Sequence, residues 1–353
     1  MSSYHEDQKT KDTLKLREVL FELPDFLSSF MRGISQRTSV KTRLGYAYDL
    51  RLFFNYISEN HSSLKGTPAK DFKISDLEKI TSEDIDLFLD YISYYVKKGN
   101  PSCLPQEFKN DEKGKARKLA AIRSMYKYMN KKLKIATNPA SIVDTPKIHE
   151  KVIVRLEPDE VAVLLDEIES GGNLTKKQQQ FHDHTKTRDL ALVTLLVGTG
   201  MRVSECAGIN IDDIDFDTNG VKVIRKGGKE VVLYFGDEVR DSLLSLLEER
   251  KKNPSQNANE KALFLSLQGT RLSVRAIQNI VKKYSRVSVK LKNISPHKLR
   301  STYGTNLYRE TGDIYLVADV LGHSDVNITK RHYAQIEEER RKSAANIVKL
   351  RKG

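Results

Sequence analysis

Two cysteines in 353 residues, Cys103 and Cys206, are too few and too far apart for a disulfide framework or a metal quartet. Cys206 falls in an apolar helical run, where a buried thiol is the expected role. His182 and His184 have no cysteine partner and no HExxH spacing, and the polar loop around them reads as surface. Long apolar runs are also missing. No stretch reaches about 18 uninterrupted apolar residues, and the amino terminus MSSYHEDQKTKDTLKLREV lacks an apolar signal core. A cytoplasmic location with no membrane partner is expected. There is no P-loop, no carboxylate metal cluster, no internal repeat and no extended low-complexity tract. Neither a cofactor nor a metal is therefore expected.

What is abundant is positive charge. Lys and Arg outnumber Asp and Glu by 60 to 47, a net charge of +13, which favours an anionic partner, nucleic acid ahead of a membrane surface. The length allows two domains, each with its own core.

The first ~145 residues read as helices throughout. In RTSVKTRLGYAYDLRLFFNYISEN, Tyr46, Leu50, Phe53, Phe54 and Ile57 recur at helical spacing behind Thr38 or Ser39 as N-cap. TSEDIDLFLDYISYYVKK reads as a helix opened by a Thr81–Asp84 capping box and closed before Gly99. A third helix, EKGKARKLAAIRSMYKYMNKKLK, has an apolar stripe of Leu119, Ile122, Tyr126 and Met129. Its other face is basic, with nine Lys or Arg against two acids between Asp111 and Lys134. Such a face is either merely solvated or a phosphate-contacting surface. Lys115, Arg117, Lys118, Arg123 and Lys127, with Lys41 and Arg43 on the first helix, are the candidate DNA contacts.

Pro139 and Pro146 interrupt this pattern, and residues 146–155 read as an interdomain linker. A helix restarts near Glu157-Pro158, and after a polar loop comes the apolar helix DLALVTLLV. VKVIRKGGKEVVLYF then alternates as a β-hairpin, with Val221, Val223, Val232 and Tyr234 on its arms and Gly227-Gly228 in the turn. From Asp237 onward the pattern is again helical. The fold class expected is mainly α, an N-terminal helical domain followed by a mostly helical domain with a small antiparallel β-sheet.

Five stretches of the second domain hold polar residues that folding alone does not require. GTGMRVSE puts Arg202 after a Gly-Thr-Gly turn at a helix start, which suits an anion but also describes a glycine cap followed by a surface arginine. Lys226 sits at the hairpin tip, beside two glycines that permit close approach to a ligand. SPHKLRSTYG puts His297 and Arg300 on one helical face behind Pro296. LGHSDVN carries His323, and Tyr333 follows in a polar segment; taken singly, a structural tyrosine is the simpler reading.

Taken together and in this order, GTG-x-R-x-SE, KGGK, H-x-L-R, LGH and the late tyrosine resemble the tyrosine recombinase family, the integrases and Xer-type recombinases. The resemblance reaches from about residue 36 to 350, since TSVKTRLGYAYDLRLFF and ARKLAAIRSMYKYM look like the family's helical core-binding domain. It implies a DNA-breaking and rejoining enzyme with six catalytic residues, Arg202, Lys226, His297, Arg300, His323 and Tyr333. Tyr333 would attack the scissile phosphate and become a 3′-phosphotyrosine. Arg202, Arg300 and His323 would hold the phosphate oxygens, Lys226 would protonate the leaving 5′ oxygen, and His297 would act as acid/base beside the tyrosine. Glu205 would support the site.

The expected partners are double-stranded DNA recombination sites and further copies of the chain, as a homotetramer on two paired sites, with room for an accessory excision factor. The C-terminal helix IEEERRKSAANIVKL would dock on a neighbouring protomer. Residues 1–35 read as an N-terminal extension too short for a packed domain, 36–145 as the core-binding domain and 156–353 as the catalytic domain. The chain departs from the pattern at Ser301, where the family often has histidine, and in a spacing from His323 to Tyr333 one residue longer than in many Xer-type relatives. A topoisomerase of the same chemistry, or a DNA-binding protein without catalysis, are the rival readings.

Overall fold

The computed structural model describes residues 4–97, 106–148, 154–225, 227–252 and 260–322. The chain divides into two compact units, Met1–Glu150 and Lys151–Gly353. Among the described residues, no helix is long and apolar enough to cross a membrane.

The first unit contains α1 (Tyr4–Phe21), α2 (Phe26–Gly33), α3 (Val40–Asn60), α4 (Ser82–Tyr91) and α5 (Glu112–Lys131), with a two-stranded ribbon of β1 (Tyr94–Lys97) and β2 (Gln106–Lys109). Ser39 caps α3 by accepting from the Thr42 N–H at 3.1 Å. Leu50, Phe53, Phe54 and Ile57 of α3 then turn fully inward. Phe88 of α4 meets Phe53 edge-on at 5.2 Å, while Leu119, Ile122, Tyr126 and Met129 of α5 complete the core.

One expectation is extended in this unit and a second is corrected. The N-terminal extension, described from residue 4, packs into the first unit: Leu16, Val19, Leu23, Phe26, Leu27, Phe30 and Met31 are buried in the same core. Phe26 packs on Phe54 of α3 and Phe30 on Tyr128 of α5. Too short to fold alone, the segment is stabilised by an apolar face that the longer helices cover. The correction is that α4 ends at Tyr91 instead of running on toward Gly99. Tyr94–Lys97 pairs antiparallel with Gln106–Lys109, and Tyr95 stacks on its cross-strand partner Phe108 at 5.2 Å. The aromatic and β-branched run Tyr-Tyr-Val suits a strand, and the Asn110 side chain donates to the freed Ile92 carbonyl at 2.7 Å.

The second unit contains α6 (Pro158–Ser170), α7 (Lys176–His182), α8 (Lys186–Thr199), α9 (Val203–Gly208), β3 (Ile214–Asp215), β4 (Gly220–Ile224), β5 (Glu230–Tyr234), α10 (Asp237–Lys252), α11 (Val274–Ser288), α12 (Pro296–Thr311) and α13 (Ile314–Leu321). α8 is central, and Ala191, Leu192, Val193, Leu195 and Leu196 are all fully buried along it. α6, α10 and α12 pack around it. The expected hairpin is β4 and β5, joined by β3 into an antiparallel sheet in the order β3-β4-β5. Val221 pairs with Leu233 across it, and both point into the core. The mainly helical fold with small antiparallel sheets is as expected.

The polar loop before α8 contains a helix, α7, opened by a Thr175–Gln178 capping box. His182 is not a surface residue. It is buried at the end of α7, its Nε2 lies 2.8 Å from the Ile168 carbonyl, and its ring meets the edge of Tyr284. His184 is exposed, as expected. Cys206 is buried, and burial pushes its thiol up, well away from the reactive thiolate range.

Candidate active site

The site forms where α8, α12 and α13 end or begin together. α8 stops at Gly200, whose φ of +62° is a left-handed cap. A side chain there is excluded twice over, since a Cβ would lie 2.5 Å from Tyr303 and 3.0 Å from Leu321. This close approach brings Arg202, the residue that caps α9, against the last turn of α13.

Arg202 is held by Glu205. The buried Glu205 carboxylate accepts from the Arg202 backbone N–H at 2.8 Å and from its Nη1 at 2.9 Å, while Nη2 donates to the Gly322 carbonyl at 3.2 Å. The anion at this short helix start is thus Glu205 itself, and the Arg202 side chain stays 31% exposed beside it.

Arg300, buried on α12, donates Nη1 to the Gly200 carbonyl at 2.7 Å and Nη2 to the Leu321 carbonyl. His297 lies one turn earlier on the same helix. Ser301, at the position that departs from the family pattern, donates its hydroxyl to the His297 carbonyl at 3.1 Å and reinforces that turn. His297 is itself exposed to solvent. Partial burial of its ring, then Arg300 and Arg202, hold the imidazole below the usual histidine range. A neutral imidazole beside two guanidinium groups can accept a proton at neutral pH while the cations attract a phosphate.

The structure therefore brings together Arg202, Glu205, His297 and Arg300. Lys226, His323, Tyr333 and the expected C-terminal docking helix lie outside the described residues. The sequence reading passed over Arg225. Its Nη1 and Nη2 donate to the Asp319 and Val320 carbonyls at 3.3 and 2.6 Å. A Cβ on Gly322 would lie 2.5 Å from its Cζ. The four consecutive carbonyls of Asp319, Val320, Leu321 and Gly322 are all held by arginines, from the end of β4, from α12 and from the start of α9. Nothing in the stretch VIRKGGK marks Arg225 apart from its neighbours, because its partners lie 94 and 95 residues away.

The candidate DNA contacts of the first unit separate into two groups. Lys118 is buried, donating to the Asn110 side chain at 2.6 Å, and its dehydration lowers its pKa. Arg117 is bonded to the buried Asp49, whose carboxyl burial pushes up while Arg117 and Lys118 pull it back. Arg123 donates to the Ala140 and Val143 carbonyls and, at 2.6 Å, to the Thr145 hydroxyl, holding the chain that follows α5. Arg43 is half-buried against the Met31 carbonyl. These four have structural partners that the charge pattern did not reveal. Lys41 and Lys127 are exposed, and Lys115 forms a 3.5 Å ion pair with Glu112.

Residues 154–340 match the phage integrase family. The tyrosine recombinase XerC of Caldanaerobacter subterraneus subsp. tengcongensis is 32% identical over 344 residues, covering 95% of this chain and 90% of that protein. Among solved structures, the XerH site-specific recombinase bound to palindromic difH substrate, a post-cleavage complex, superposes with a TM-score of 0.60. It is 21% identical and covers 87% of this chain and 79% of that one. A lambda integrase tetramer bound to a Holliday junction superposes at 0.57, with 16% identity over 87% of this chain and 76% of that one. This chain belongs to the phage integrase family and is a site-specific tyrosine recombinase.

Proposed function

We propose that this recombinase cleaves DNA with Tyr333 as nucleophile at the site built by Arg202, His297 and Arg300. The observation that carries the reading is that Arg202 and Arg300 both bond the end of α13, directly before His323 in the chain, with His297 near the two guanidinium groups. Tyr333 Oη attacks the phosphorus, its proton passes to His297, and the bond to the 5′ oxygen breaks. Lys226 gives that oxygen a proton, leaving a 3′-phosphotyrosine and a free 5′-hydroxyl. Arg202, Arg300 and His323 bind the non-bridging oxygens, where negative charge concentrates in the transition state. Loss of one such donor typically costs about 10²–10³ in rate. The covalent link conserves the phosphodiester, so a 5′-hydroxyl from a partner strand rejoins it by the reverse steps without ATP.

The assembly is a homotetramer on two paired duplex sites, supported by the fold shared with the lambda integrase tetramer on its junction. The reaction is integration, excision, inversion or dimer resolution, and an accessory excision factor would set its direction. Exposed Lys41 and Lys127, with Lys115, are assigned to backbone phosphates.

A two-site assay tests this reading against a relaxing enzyme of the same chemistry. Two differently labelled duplex sites should yield a four-way junction and exchanged products. Relaxation of supercoils with no exchanged strand would overturn the assignment.

A further inference from the structure

Arg225 takes no part in the steps above, yet it ties together two pieces of the chain that border the site. Its backbone closes the hairpin turn, with its N–H donating to the Lys229 carbonyl at 2.8 Å and its own carbonyl accepting from Gly228 at 3.0 Å. Its side chain crosses to the last turn of α13 and spans two successive carbonyls. A cation at a helix C-terminus is favoured by the helix dipole. A lysine would satisfy that preference too, but a planar guanidinium sets a separate nitrogen on each oxygen in a fixed geometry. The fit is close on the other side too, since Gly322, with φ +61°, has no room for a Cβ against the guanidinium. The Arg225 Nε is buried with no partner among the described residues, so its two Nη groups make the attachment.

A hairpin tip with two glycines at φ +91° and +84° has little intrinsic stiffness. Lys226 is the residue between Arg225 and that glycine pair. A general acid must stand within hydrogen-bond reach of the leaving oxygen, and a displacement of ~1 Å can cost about 10²-fold in rate.

We propose that Arg225 is a positioning residue for Lys226: by bonding the Asp319 and Val320 carbonyls and seating against Gly322, it fixes the hairpin tip to the end of α13 at the site. The proposal rests on the reading of Lys226 as the acid that protonates the 5′ oxygen.

The test compares cleavage of a nicked suicide duplex with that of the same duplex carrying sulfur at the bridging 5′ position. The sulfur leaves as a thiolate and needs no proton, because a thiol ionises at about pH 8.5. The wild-type protein, Arg225→Ala, Arg225→Lys and Lys226→Ala are compared on both. Arg225→Ala should bind the site as tightly as wild type, lose about 10²-fold in adduct formation on the oxygen substrate, and recover most of that loss on the sulfur substrate. Arg225→Lys should fall between the two and carries the same comparison if the alanine variant fails to fold. A rate equal to wild type, or an equal loss on both substrates, would overturn the positioning role. If sulfur rescues Lys226→Ala but not Arg225→Ala, the acid reading stands and the positioning role fails. If sulfur does not rescue Lys226→Ala, the acid reading fails, and the proposal with it.

Discussion

Glu205 holds Arg202 at both ends, taking its backbone N–H at 2.8 Å and its guanidinium at 2.9 Å on the two oxygens of one buried carboxylate. The carboxylate fixes where the guanidinium points before DNA arrives, the preorganisation that electrostatic catalysis requires. Glu205→Gln keeps the size but removes one acceptor and the charge. Adduct formation is expected to fall about 10–10²-fold, the scale of a misplaced catalytic group, with little change in DNA affinity. Single-turnover cleavage beside a binding titration checks this. Unchanged cleavage would show that Arg202 does not depend on Glu205 for its aim.

His297 provides a pH test. Burial and two nearby cations disfavour the imidazolium, so the folded protein should protonate His297 below the reference value of 6.5. The sign follows from linkage. Because the unfolded chain takes the proton more readily, acidification through 6.5 removes stability on account of His297, and the neutral base persists to lower pH than in a free peptide. NMR titration of the imidazole in the DNA-free protein, assigned with His297→Gln, should place its midpoint below 6.5. A midpoint at or above that value contradicts the assigned environment.

The basic face of α5 divides into structural and solvent-facing side chains. Lys127→Ala should leave stability unchanged and reduce the salt dependence of DNA binding by about 0.9 in the log–log slope if one phosphate contact is lost. Lys118→Ala should instead destabilise the first unit by about 1–3 kcal/mol, because it strips a hydrogen bond from Asn110 and a nearby cation from buried Asp49. Denaturant titration and salt-dependent binding on both variants separate the roles. A Lys118 variant of wild-type stability would contradict the structural role.

The contrast between those two lysines shows what sequence reading reaches. α3 and α5 were legible because local signals agreed: Ser39 as cap, and apolar stripes at helical spacing. The hairpin was legible from alternation around two glycines. Tyr94–Lys97 reads as helix from its periodicity, because the pairing with Gln106–Lys109 that makes it a strand depends on a partner further along the chain. His182 and Lys118 are polar residues buried by partners 14 and 8 positions away, so local polarity pointed to the wrong face. Arg202, His297 and Arg300 were singled out through the resemblance, since each motif taken singly also had a structural reading, and the structure brings the three near one another. Arg225 was not, because its role depends on the distant end of α13.

The assignment of Tyr333 as nucleophile is tested most directly by trapping the covalent intermediate. Wild-type protein and Tyr333→Phe are incubated with a nicked suicide duplex, and the products are separated on a denaturing gel. The wild type should give a protein–DNA band, and Tyr333→Phe should give none while still binding the site with nearly unchanged affinity. A covalent band that persists in Tyr333→Phe would contradict the assignment.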